Sequence, residues 1–108
     1  MASSTIKTVV NPIKAFSNDY VEGVLLESKG IAILFCDINS GENGMNQYFQ
    51  CLYESIPSAY RPQNRKSTIA RATNGNIYGF QILSNGSLQT TDAIPSNCEI
   101  TLMAAWKY

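Results

Sequence analysis

Residues 74–88 read NGNIYGFQILSNGSL, and this stretch decides the fold. An Asn-Gly pair stands near each end, Asn74-Gly75 and Asn85-Gly86, with one short apolar run between them. Asn-Gly is the strongest short hairpin signal, because both residues tolerate the positive φ that a type I′ turn requires. Two such turns around residues 77–83 (IYGFQIL) make three successive antiparallel strands, a meander. Within the run, Tyr78, Phe80 and Ile82 alternate with Gly79 and Gln81, as in a strand with one dry face and one wet face.

The same grammar recurs outward from this stretch. Residues 21–27 (VEGVLLE) and 31–38 (IAILFCDI) read as strands joined by a turn at SKG, and 39–46 (NSGENGMN) as loop. Residues 47–53 (QYFQCLY) alternate and carry aromatics, whereas Pro57 and Pro62 do not suit a central strand. Further strands follow at 67–72 (STIARA), 88–92 (LQTTD) and 99–106 (EITLMAAW). No window of eleven or more residues holds apolar positions at helical spacing. Seven or eight short strands at this spacing predict an all-β protein, a small antiparallel β-sandwich or jelly-roll-like barrel. The barrel is expected over 20–108, with 1–19 as an N-terminal segment that is extended or serves attachment.

The run 31–38 is apolar on both faces: Ile31, Ile33 and Phe35 on one, Ala32, Leu34, Cys36 and Ile38 on the other. Such a strand must be covered twice, by its own core and by something else. That cover is a neighbouring copy or a long loop of the same chain, and the sequence leaves both open. The neighbouring-copy reading makes Ile31, Ile33, Leu34, Phe35 and Ile38 interface candidates.

Composition narrows the function. The chain has 108 residues, the size of one domain, and only 15% are charged, well below the usual ~25%. Eight Lys and Arg balance eight Asp and Glu, so no net field draws nucleic acid or anionic lipid. The one basic cluster, RPQNRK at 61–66, reads as a solvated loop. No run approaches the ~20 apolar residues of a membrane helix, and MASSTIKTVV lacks the apolar region of a secretion signal. The chain therefore reads as soluble, with no membrane insertion.

Cys36, Cys51 and Cys98 are widely spaced and form no C-x-x-C pair, so buried thiols in a reducing compartment of synthesis are expected. There is no His, hence no His-based nucleophile system, and no phosphate-binding glycine loop. Asp37, Glu42, Glu54 and Asp92 are the acids a glycosidase would need, but they read as solvated surface groups. The expectation is a non-enzyme with no cofactor and no metal. What remains is recognition through shape, aromatic faces and neutral hydrogen bonds, which suits sugars. Saccharide-binding candidates are Asn43 and Asn46 in the glycine-rich loop, Arg71 and Asn76 around the first hairpin, and Asp92 after the third meander strand. Trp106 is carried as a further candidate, although alternation places it with Ile100, Leu102 and Ala104 on a core or interface face.

Ile56-Pro57, Tyr60-Arg61-Pro62, Asn74-Gly75, Ile82 with Ser84-Asn85-Gly86, and the closing run Ile100–Tyr108 stand in a distinctive order. In these elements residues 20–108 resemble the head domains of tail receptor-binding proteins from phages of Gram-positive bacteria, lactococcal siphophages above all. The resemblance implies a small antiparallel barrel assembled as a homotrimer, located at the tail or baseplate tip of a virion. It also implies partners in other tail proteins and in host cell-wall saccharide, bound without catalysis. Related heads occur as structural baseplate, fibre or capsid-decoration subunits, which is the alternative role. The shoulder and neck usual in that family have no counterpart in residues 1–19. The chain thus reads as a lone head, an excised head, or a subunit attached in another way.

Overall fold

A computed structural model of the chain describes residues 6–15 and 21–108. Its meander is β4 (Lys66–Arg71), β5 (Ile77–Ile82) and β6 (Leu88–Thr90), paired antiparallel in that order. The two Asn-Gly pairs do turn these strands, but not with the expected type I′ geometry. Gly75 N–H donates to Ala72 O at 3.0 Å while Ala72 N–H donates to Asn76 O at 2.9 Å. Gly86 and Leu83 repeat the arrangement with Leu83 O and Ser87 O, at 2.9 Å each. Only the glycines adopt positive φ, 87° and 88°. These are three-residue loops in which a type I turn is followed by a left-handed glycine. Each Asn contributes its side chain instead: Asn74 Oδ1 accepts Asn76 N–H at 2.9 Å, and Asn85 Oδ1 accepts Ser87 N–H at 3.0 Å. Type I′ geometry falls elsewhere, at Lys29 (φ 51°) and Gly30 (φ 83°), between β2 (Val21–Ser28) and β3 (Ile31–Asn39).

Among the described residues the chain has seven strands, completed by β1 (Lys7–Ala15) and β7 (Glu99–Lys107). They form a four-stranded sheet in the order β1-β2-β3-β7 and a three-stranded sheet β4-β5-β6. β1 lies in the stretch expected as an N-terminal segment, yet it pairs with β2 through two register shifts and buries Ile13 and Ala15. It is an edge strand, where Pro12 is tolerated because its missing N–H breaks no central ladder. The alternating run 47–53 is not a continuous strand. Tyr48 takes φ of 66°, a left-handed value that interrupts extended backbone, and only isolated bridges remain, Gln50 to Gln89 and Leu52 to Ala15.

Those bridges join one pair of sheet edges; Ala72 bridged to Ile100 joins the other. The fold is β-sandwich-like, with two open antiparallel sheets rather than a closed barrel. Strand alternation fills the interior. Tyr78, Phe80 and Ile82 from β5 meet Leu25, Leu34, Ile38, Ile100 and Leu102 from the larger sheet in one buried cluster. Each such side chain contributes about 1.5–3 kcal/mol by leaving water. Thr90 is buried among them and fully used: its Oγ1 accepts Phe49 N–H at 3.0 Å and donates to Asn46 O at 2.8 Å.

Candidate functional site

The Ile-Pro, Tyr-Arg-Pro and Ser-Asn-Gly elements, spread over thirty-one residues from 56 to 86, fold into one unit. Ile56 N–H donates to Gly86 O at 2.9 Å, and Arg61 Nε donates to Ile56 O at 2.6 Å. A Cβ on Gly86 would lie 2.6 Å from Arg61 Nε and 2.7 Å from Ile56 O, so glycine is required for contact as well as for φ. Trp106 Nε1 donates to Tyr60 O at 2.7 Å from a ring that is only 3% exposed. Trp106 is therefore a core residue tied to this unit and offers no stacking platform, which corrects its place among the saccharide candidates. Buried indole needs an acceptor, and the Tyr60 carbonyl supplies it.

Two other candidates, Arg71 and Asp92, lie on the outward side of the smaller sheet, whereas Asn76 turns its side chain toward the inward-facing Tyr78. Arg71 pairs with Ile77 across β4 and β5, and Ile69 pairs with Gly79. Ile69 is 68% exposed and Ile77 60%. Asp92 closes this surface by accepting Gly79 N–H at 2.7 Å, while Thr91 Oγ1 fills the space where a Gly79 side chain would stand. Asn76 Nδ2 and Asn74 Nδ2 reach the Tyr78 hydroxyl at 3.4 and 2.8 Å. Asn76 and Asp92 thus serve the fold as well as the surface. Asn43 and Asn46 are exposed on a neighbouring loop, held by Met45 N–H to Ile94 O at 2.9 Å and by Asn97 N–H to Gly41 O at 2.8 Å. The arrangement offers an exposed apolar strip edged by a guanidinium, a carboxylate and carboxamides. Sequence reading passed over Ile69: in STIARA the isoleucine looks like the core residue, yet Ala70 is buried and Ile69 is not.

A second surface is the outward face of the larger sheet. Register aligns Val24, Phe35 and Met103 in one row and Leu26, Ile33 and Ala105 in the next, with Ile31 beside Lys107 beyond them. Phe35 is 38% exposed and Met103 60%. Of the five interface candidates, Ile31, Ile33 and Phe35 lie on this face. Leu34 and Ile38 do not: alternation turns both into the chain's own core, where they are almost wholly buried. At one end of the face, Thr101 Oγ1 donates to Asp37 Oδ1 at 3.0 Å beside a shallow depression lined by Asn11, Gly23, Val24 and Phe35.

One polar cluster ties the chain's ends together. Lys7 Nζ donates to Tyr60 Oη at 3.1 Å, Tyr60 and Tyr108 meet edge to face at 5.2 Å, and Tyr108 Oη donates to Glu27 at 2.6 Å. The Tyr108 hydroxyl and then the Gly30 N–H hold the Glu27 carboxyl below its ordinary pKa, and the same bond pushes the Tyr108 phenol up to about 12. Burial pushes the Cys36 and Cys51 thiols up to about 12, so both stay protonated and unreactive in the fold. No family model matches the chain, and no curated protein matches it.

Proposed function

We propose that the chain is the host-recognition head of a phage virion appendage, a homotrimer that binds cell-wall saccharide without catalysis. The observation that carries this reading is the outward face of the larger sheet. Val24, Leu26, Ile31, Ile33, Phe35, Met103 and Ala105 form a contiguous apolar field, half-buried at Val24, Leu26 and Ile33 and exposed at the other four. Copies associate through that field and leave the smaller sheet, with Arg71, Ile69, Ile77 and Asp92, turned toward the host wall. An apolar strip with polar edges suits a pyranose, whose C–H face packs on isoleucine while hydroxyls bond the guanidinium and carboxylate. Weak single sites gain through multiplicity, since joining sites in one particle raises avidity by ~10²–10⁴.

A second reading, a structural baseplate or decoration subunit, is favoured by one observation. Asp92 and Asn76 already bond the chain's own Gly79 and Tyr78, as residues of a purely architectural surface would. Titrating the assembled protein with oligosaccharide from host cell wall separates the two. Saturable binding abolished by Arg71→Ala supports the recognition head. A folded assembly that stays inert to every wall fraction supports the structural subunit.

A further inference from the structure

The balanced charge of the sequence is not evenly spread in the fold. Strand register gathers Lys7, Lys29 and Lys107 at one end of the larger sheet, since Lys7 pairs with Glu27, Ser28 with Ile31, and Ile31 with Lys107. Asp37 and Glu99 lie toward the opposite end of the same strands, followed by Glu42. At the cationic end the one acidic side chain among the described residues, Glu27, is occupied by the Tyr108 hydroxyl at 2.6 Å and Gly30 N–H at 3.0 Å.

A cleft opens at this end for a structural reason. β4 and β7 meet where Ala72 bridges Ile100, and Thr68 Oγ1 still reaches Met103 O at 3.5 Å. Beyond that point the strands part. The space between them, about 300 Å³, is lined by Gln63, Asn64, Lys66, Lys107 and Tyr108. Two lysines from different strands therefore line one space, and among the described residues neither is paired with an acidic side chain. The sequence shows only half of this, because RPQNRK supplies Lys66 while Lys107 arrives from the other end of the chain.

We infer that this cleft is an anion subsite that takes a phosphate or carboxylate group of a ligand, held by Lys66 and Lys107 with the Gln63 and Asn64 carboxamides as neutral donors. Like charges sharing a cleft focus the field within it and make an anion the favoured occupant. Charge-assisted bonds from lysine to an oxyanion are stronger than neutral ones. The inference goes beyond the proposed function and does not depend on it, because Arg71 lies at the opposite end of β4 from Lys66 and does not line the cleft.

The test is an NMR titration of the whole isotope-labelled chain with inorganic phosphate, followed by glucose 1-phosphate, glucuronate and glucose. Saturable shifts at Gln63, Asn64, Lys66, Lys107 and Tyr108 are expected. Lys66→Gln and Lys107→Gln should each weaken phosphate binding about tenfold, as loss of one charged hydrogen bond implies. Lys29→Gln, at the same end but outside the cleft, should leave it unchanged. Glucose 1-phosphate binding more tightly than glucuronate makes phosphate the natural group, and the reverse order makes it carboxylate; either supports the subsite. Absence of saturable shifts, equal weakening by Lys29→Gln, or anions binding no better than glucose overturns it. Loss of phosphate binding in these variants with wall-saccharide binding intact, or the converse in Arg71→Ala, tells the two proposals apart.

Discussion

The two sheets differ most in what they turn outward. On the smaller sheet the chain covers the β5–β6 side of its own surface and leaves Ile69 and Ile77 exposed toward β4. On the covered side Thr91 fills the space over Gly79, Asp92 caps its N–H, and Gln81 bonds Gln89 side chain to side chain at 3.1 Å. On the larger sheet nothing comparable is done, and Ile33 and Phe35 stand between Leu26, Ala105, Val24 and Met103. Natural monomers seldom leave contiguous apolar fields of this kind. The difference teaches that the apolar exposure of one sheet is a strip at its β4 side and that of the other a field across three strands.

Phe80 and Phe35 break or sharpen that comparison most strongly. Phe80 is wholly buried, so Phe80→Ala should cost about 3–5 kcal/mol in denaturant unfolding, through lost burial and a cavity. Phe35→Ala, measured in dilute monomer, should cost less than about 1 kcal/mol, as surface changes usually do. Equal costs would mean that Phe35 is buried by its own chain and the contrast is false.

Turn glycines give the next effect. A Cβ on Gly75 meets nothing within 4 Å, so Gly75→Ala should cost about 1–2 kcal/mol from its left-handed backbone alone. Gly86→Ala carries the same strain and also displaces Arg61 from Ile56 O, adding about 1.5–3 kcal/mol. Equal melting shifts for the two variants would refute the packed unit of Ile56, Arg61 and Gly86.

Much of this was legible in the sequence, for physical reasons. Alternation in IYGFQIL and IAILFCDI placed Phe80 and separated Ile33 from Leu34, because a strand has only two faces. Turn position was legible from Asn-Gly, but turn type was not, since the asparagine acts through its side chain as well as its backbone. β1 was missed because Pro12 and two register shifts blur its alternation. Arg71, Asn76 and Asp92 could be named as polar loop residues. The surface shared by Arg71 and Asp92 could not, because it depends on long-range pairing and on exposed Ile69. Trp106 went astray as a site because an aromatic suits both a core and a sugar, and only its bond to Tyr60 O decides.

The smallest effect concerns pH at the Glu27–Tyr108 contact. Glu27 titrates lower in the folded state, so its contribution is present above the unfolded carboxyl pKa and fades as pH falls through the folded one. The Tyr108 phenol is raised, so its contribution holds below the unfolded phenol pKa and is lost as pH rises through about 12. Unfolding curves of Glu27→Gln across acid pH should lack the wild-type decline assigned to this group. Identical slopes for both proteins would remove the contact from the account.

Sedimentation equilibrium of the full chain at micromolar concentration reaches the central claim most directly. The account predicts a mass close to three times 11.9 kDa, falling to 11.9 kDa when Ile33→Lys places charge in the apolar field. A wild-type protein that sediments as a single folded 11.9 kDa chain would contradict it.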